Sequence, residues 1–155
     1  MTTIEQRQLV HAPLASAQRF LDGFFAAHRG GDEDAAHVTL HAGEMMARDA
    51  LITLTPAHRP EDMTPRVAVD WKDAADGPYP HFHGILTVAG DEDYDTFWLV
   101  LEGEYSPPGG IGGQVFDAVI GHRIAESTAA SLLAEIRDES ERQFVAEEER
   151  KTRAS

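Results

Sequence analysis

No cysteine occurs among the 155 residues. Disulfides, thiolate nucleophiles and cysteine-based metal sites are thereby excluded. Positive charge is scarce as well: 13 Lys and Arg face 27 Asp and Glu, a formal net charge of −14. Nucleic acids and anionic membrane surfaces are recognised through a basic footprint, so neither is an expected partner. No apolar run approaches the roughly 18 residues of a membrane span. The first residues, Met1 to Arg7, lack the basic-then-apolar order of a signal peptide. The expected location is therefore the cytoplasm. What is present is a hydrophobic fraction of 42%, which at this length supports one domain with its own core. That domain is expected over residues 1–150. The end of the chain, from Glu147, is expected to fray, with 151–155 a disordered tail.

Residues 3–11 read as a strand of mixed character, closed by Ala12-Pro13. Pro13 suits the first position of a helix, and Ala17, Phe20, Leu21, Phe24 and His28 recur at helical spacing. The spacing predicts a first helix over 13–28, stopped by Gly30-Gly31. From His37 the texture changes. Segments 37–43, 49–56, 66–72, 80–89 and 94–105 are rich in Val, Ile, Thr, Phe and Trp, and turn residues separate them. Such short separators predict antiparallel hairpins, because parallel strands need long crossovers.

Period-2 alternation assigns faces. Val67, Val69 and Trp71 share one face. So do Phe82, Gly84, Leu86 and Val88, and so do Phe97, Leu99, Leu101, Gly103 and Tyr105. These sets form the expected inner face. Trp98 and Val100 fall on the outer face, where they cover either a dimer patch or the underside of a loop. From Gly112 to about Glu149 the pattern is helical, with a stripe of Phe116, Val119, Ile120, Ile124, Thr128, Leu132 and Ile136. Gly121 inside it marks a candidate bend.

The order is strand, helix, antiparallel strands, long terminal helix. It resembles the helix-grip fold of the START-like superfamily, also called SRPBCC, whose members include lipid-transfer domains and aromatic polyketide cyclases. The likeness is carried by Val10-His11-Ala12-Pro13 at the strand-to-helix passage and by Phe82-His83-Gly84-Ile85-Leu86 as a cavity strand. Leu101 to Gly110 enters the terminal helix, and Gly121-His122-Arg123-Ile124-Ala125 resembles the start of that helix's main body. The resemblance implies an α+β fold in which a curved antiparallel sheet wraps a long C-terminal helix around an apolar cavity. It implies no particular reaction. One departure is a single longer helix after the first strand, where the group often has two short ones.

Several constellations invite chemistry. His81 and His83 share one strand face about 7 Å apart, and His37 and His41 also share a face. By parity His81 and His83 lie outside, opposite Phe82, so no metal is expected. Asp91-Glu92-Asp93-Tyr94-Asp95 lacks the spacing and glycine of a calcium loop and reads as a solvated turn. Gly109 to Gly113 lacks the Gly-Lys-Ser/Thr ending of a phosphate loop, so its glycines serve the corner into the helix. No Gly-x-Ser-x-Gly occurs, and no catalytic residue is assigned. The groups available for acid–base work are Tyr105, His122, Arg123 and Asp70.

The expected function is binding of an apolar or aromatic small molecule between sheet and helix, without a cofactor. The expected ligand-binding residues are Trp71, Phe82, Leu86, Phe97, Leu99, Leu101 and Tyr105 from the sheet, with Phe116, Ile120 and Ile124 from the helix. Gly84 and Gly103 remove side-chain volume on neighbouring inner strands, which marks either a bend or bulge or room for a ligand. Two alternatives stand beside this: a polyketide cyclase or dehydratase on the same fold, and a homodimeric interaction module using Trp98 and Val100.

Overall fold

The computed structural model describes residues 2–29, 35–41, 49–57, 59, 61–73, 81–106 and 118–154, with the backbone alone at 39–41, 49, 73 and 118–120. The elements are β1 (Thr2–Val10), a 3-10 turn (Leu14–Ser16), α1 (Ala17–His28), β2 (Ala36–His41), β3 (Asp49–Pro56), β4 (Arg66–Asp73), β5 (His81–Gly90), β6 (Phe97–Ser106) and α2 (Ala118–Ala154). The strands form one curved antiparallel sheet in the order β1-β6-β5-β4-β3-β2. β2 to β6 are a meander. β1 closes the far edge against β6, with Thr2 opposite Tyr105 and Val10 opposite Phe97. This is an α+β helix-grip architecture.

Alternation becomes burial. In β5 the side chains of Phe82, Leu86 and Val88 are buried, while His81 and His83 are exposed; in β6 Phe97, Leu99, Leu101 and Tyr105 are buried. β4 contributes Val67, Val69 and Trp71 to the same layer. Against it α2 presses Ile124, Ala125, Ala129, Leu132, Leu133 and Ile136. Each fully buried Leu or Ile contributes about 1.5–3 kcal/mol relative to exposure, so this seam dominates the stability of the helix. The hydroxyl of Thr128, within the buried stripe, is satisfied by donating to the Ile124 carbonyl at 2.8 Å.

The first helix differs from the expectation at its start. Pro13 is extended, at φ −64° and ψ 140°, and leads into the 3-10 turn; the α-helix proper begins at Ala17. The turn is held by Ser16 N–H donating to the Pro13 carbonyl at 3.0 Å. α1 then buries Phe20, Leu21 and Phe24. Arg19 pairs with Glu147 at 2.6 Å and His28 with Glu139 at 3.6 Å, fastening α1 to the C-terminal half of α2.

α2 itself is continuous over 37 residues, roughly 55 Å at about 1.5 Å per residue. Gly121 therefore interrupts nothing. The helix also continues through Ala154, across the stretch expected as a tail. Local pairs support its last turns: Lys151 bonds Glu148 at 3.1 Å, and the Thr152 hydroxyl donates to the Glu148 carbonyl at 3.0 Å.

The β5–β6 hairpin turn is polar and self-satisfied. Tyr94 N–H donates to the Asp91 carbonyl at 3.2 Å, and the Thr96 hydroxyl donates to the Asp91 carboxylate at 3.0 Å. The Glu92 backbone N–H, then the Thr96 hydroxyl, hold the Asp91 carboxyl below its ordinary 3.8. A depressed folded-state value stabilises the turn fully above 3.8, and that contribution is lost as pH falls through the lowered value. Thr96→Val is expected to move the Asp91 midpoint upward in an NMR carboxyl titration. An unmoved midpoint would show that the hydroxyl does not act on it.

Candidate functional site

The register aligns Ile52, Trp71, Phe82 and Tyr105 in one cross-strand row on the inner face of β3 to β6. Trp71 and Phe82 stack with ring centroids 4.0 Å apart and planes 12° from parallel. Trp71 is 2% exposed, and its indole Nε1 has no hydrogen-bond partner among the described residues. A buried N–H left unpaired costs about 1–3 kcal/mol, so this donor is an anomaly within an otherwise well-satisfied layer.

Gly84 and Gly103 face each other in the adjacent row. A Cβ on Gly84 would lie 2.5 Å from the Glu102 carbonyl oxygen and 2.5 Å from Phe82 Cζ; one on Gly103 would lie 2.4 Å from the His83 carbonyl oxygen and 2.6 Å from the same Cζ. The expectation that these glycines make room for a ligand is thus corrected: the Phe82 ring occupies that room and lies over both residues. The pair lets an aromatic ring lie down on the sheet.

Beyond the row stands the start of α2. Gly121 is buried, and among the described residues no atom beyond its own turn of helix comes within 4 Å of the position its Cβ would take. Beside it, His122 Nδ1 lies 3.2 Å from the Tyr105 hydroxyl, with ring centroids 5.7 Å apart. The other ring nitrogen, Nε2, pairs with Glu126 one turn further on. Tyr105, His122 and Glu126 thus form a chain from the end of β6 into the first turns of α2.

The ligand-binding residues expected from sequence fall into layers. Trp71, Phe82 and Tyr105 share the row that this chain adjoins, and Ile124 is buried on α2. Leu86, Leu99, Leu101 and Phe97 are deeper, each 0–1% exposed. Phe116 and the Pro107–Gly110 corner lie outside the described residues, as does the side chain of Ile120. Of the acid–base candidates, the structure joins Tyr105 and His122, leaves Arg123 exposed and places Asp70 on the outer face. Glu126 was not singled out from sequence; its spacing of four from His122 was the available signal.

On the outer face Asp70 and His83 pair at 2.6 Å. With Leu51, Thr53, Lys72, His81, Glu104 and Ser106 they line a groove of about 530 Å³ that also borders Trp71, Phe82 and Tyr105. Among the described residues no group of three or more His, Asp or Glu is arranged to hold a metal ion. Trp98 is half-buried, with the Arg7 guanidinium 5.2 Å over its ring, so that outer aromatic is partly covered by its own sheet.

No protein family and no curated protein matches the chain by sequence. Solved structures do match in shape. A conserved protein from Geobacillus kaustophilus superposes with a TM-score of 0.60 at 12% identity, covering 94% of this chain and 96% of its own. A START superfamily protein from Mycobacterium smegmatis gives 0.48 at 11% identity, over 88% of this chain and 97% of its own. Likeness at such identity concerns the fold alone. Among the described residues, no helix is long and apolar enough to cross a membrane.

Proposed function

We propose that this START-like fold binds an apolar or aromatic small molecule between the Trp71–Phe82–Tyr105 row and the first turns of α2. The observation that carries the reading is the buried, unpartnered Trp71 Nε1. A ligand acceptor placed there would recover the hydrogen bond that the free protein lacks, while the ring faces and Ile124 supply apolar contact. Affinity would come mainly from apolar burial, at roughly 25 cal/mol per Å² before the costs of association. The indole N–H would set orientation.

Native mass spectrometry of the protein purified from its source tests this directly. The expected result is a reproducible added mass of a few hundred daltons that denaturation releases. Trp71→Phe keeps a flat apolar ring but removes the donor. It is expected to weaken retention of the extracted compound roughly tenfold, the value of one hydrogen bond near the top of its usual range. A clean unliganded mass, together with no uptake of added aromatic compounds, would refute the reading.

A further inference from the structure

We propose that the molecule held at this site carries both a hydrogen-bond acceptor and a hydrogen-bond donor, the acceptor meeting Trp71 and the donor meeting Tyr105. This rests on the inner face being a ligand cavity, and it adds the polarity of the ligand. The direction of the hydrogen bonds decides it. An ionised Glu126 only accepts, so His122 Nε2, paired with it, carries the proton. In a neutral imidazole the other nitrogen, Nδ1, is then bare and accepts. With His122 in that neutral form, the Tyr105 hydroxyl, 3.2 Å away, commits its single proton to Nδ1. What Tyr105 has left to offer is lone-pair capacity.

The two ends of the aromatic row thus have opposite polarity. Trp71 on β4 donates only, and it has no partner among the described residues. Tyr105 on β6, its proton engaged with His122, can only accept from a ligand. Phe82 lies between them in the register. Trp71 and Tyr105 stand two strands apart, with backbones roughly 10 Å from each other at about 4.8 Å per strand, so the probe chosen is a two-ring apolar body with a carbonyl and a hydroxyl. A molecule with only an acceptor leaves the Tyr105 oxygen dry; one with only a donor leaves the indole N–H unpaired. His122 and Glu126 are positioning residues in this scheme: they touch no ligand but fix which way the Tyr105 hydroxyl points.

The test uses the full chain and three probes of one shape. 4-Hydroxybenzophenone has both groups, whereas benzophenone and 4-methoxybenzophenone have acceptors alone. Calorimetry is expected to show the hydroxy probe binding roughly tenfold tighter than either analogue. In Tyr105→Phe that gap is expected to close. In Glu126→Gln, a change at a part-exposed position that leaves Tyr105 in place, the gap narrows because the imidazole tautomer is no longer fixed. Long-range ¹H–¹⁵N spectra supply a readout that simple loss of packing would not move. They are expected to show neutral His122 protonated on Nε2 in the native chain and a mixture of tautomers in Glu126→Gln. Protonation on Nδ1 in the native chain would overturn the assignment. Equal affinity for all three probes would also overturn it while leaving the cavity in place. Binding of none of them would remove the cavity reading and the assignment with it.

Discussion

Gly103→Ala is expected to cost about 3 kcal/mol or more, at or beyond the upper end for overpacked positions. The new methyl would sit 2.4 Å from the His83 carbonyl oxygen and 2.5 Å from Gly84 Cα. Both are main-chain atoms of the paired strand, so neither can rotate away, and relief requires β5 and β6 to part. Phe82 Cζ, at 2.6 Å, would be displaced as well, and with it the face on which Trp71 stacks. Urea denaturation measures the loss. Shortening the ring in the double variant Gly103→Ala/Phe82→Leu should restore little, because the backbone contacts remain. If that double variant returned to native stability, the ring rather than the main chain would be the obstacle. A cost under about 1 kcal/mol for Gly103→Ala, within the common range of single substitutions, would mean that the strands are not paired this closely.

Leu132→Ala is expected to destabilise by about 2–5 kcal/mol, the range for a leucine removed from a rigid interior. Leu132 is 0% exposed and sits midway along the buried stripe of α2, with Leu133 and Ile136 beside it. The helix spans the domain and is held from several sides, so it cannot settle into the void, which places the cost toward the upper half of that range. Val145→Ala on the same helix is the control: its side chain is 54% exposed, and the expected change is within about 0.5 kcal/mol. Equal effects at the two positions would contradict the assignment of the buried face.

Both expectations depend on features that the sequence reveals to different degrees. Half-buried strands and a one-sided helix write their burial into the order of residues, so the inner faces of β4, β5 and β6 and the stripe from Ile124 to Ile136 were legible. Segment 49–56 coincides with β3, and the other strands differ by a few residues at their ends. Pairing partners are a different matter. Two glycines are visible in the sequence, but only the register that sets Gly84 against Gly103 shows that the ring of Phe82 lies across both. His122 and Glu126 were readable as neighbours on one helix. Their sense comes from Tyr105, which the fold brings from another element. The unpaired indole of Trp71 had no sequence signal at all, because the lack of a partner is a property of everything around it.

The pairing of the first strand with the last has a consequence for synthesis. β2 to β6 can assemble as a succession of local hairpins, each closing a short loop. β1 has to wait: Thr2 meets Tyr105 and Val10 meets Phe97, across nearly the whole intervening chain. Contacts of such long range are made late, because the entropy of closing the loop must be met before the contact stabilises anything. Until then the open edge of β6 offers unpaired N–H and C=O groups to any neighbouring chain. α2 follows β6 in the chain and packs along β1, so the core closes only after the strand that seals the edge has a helix to cover it.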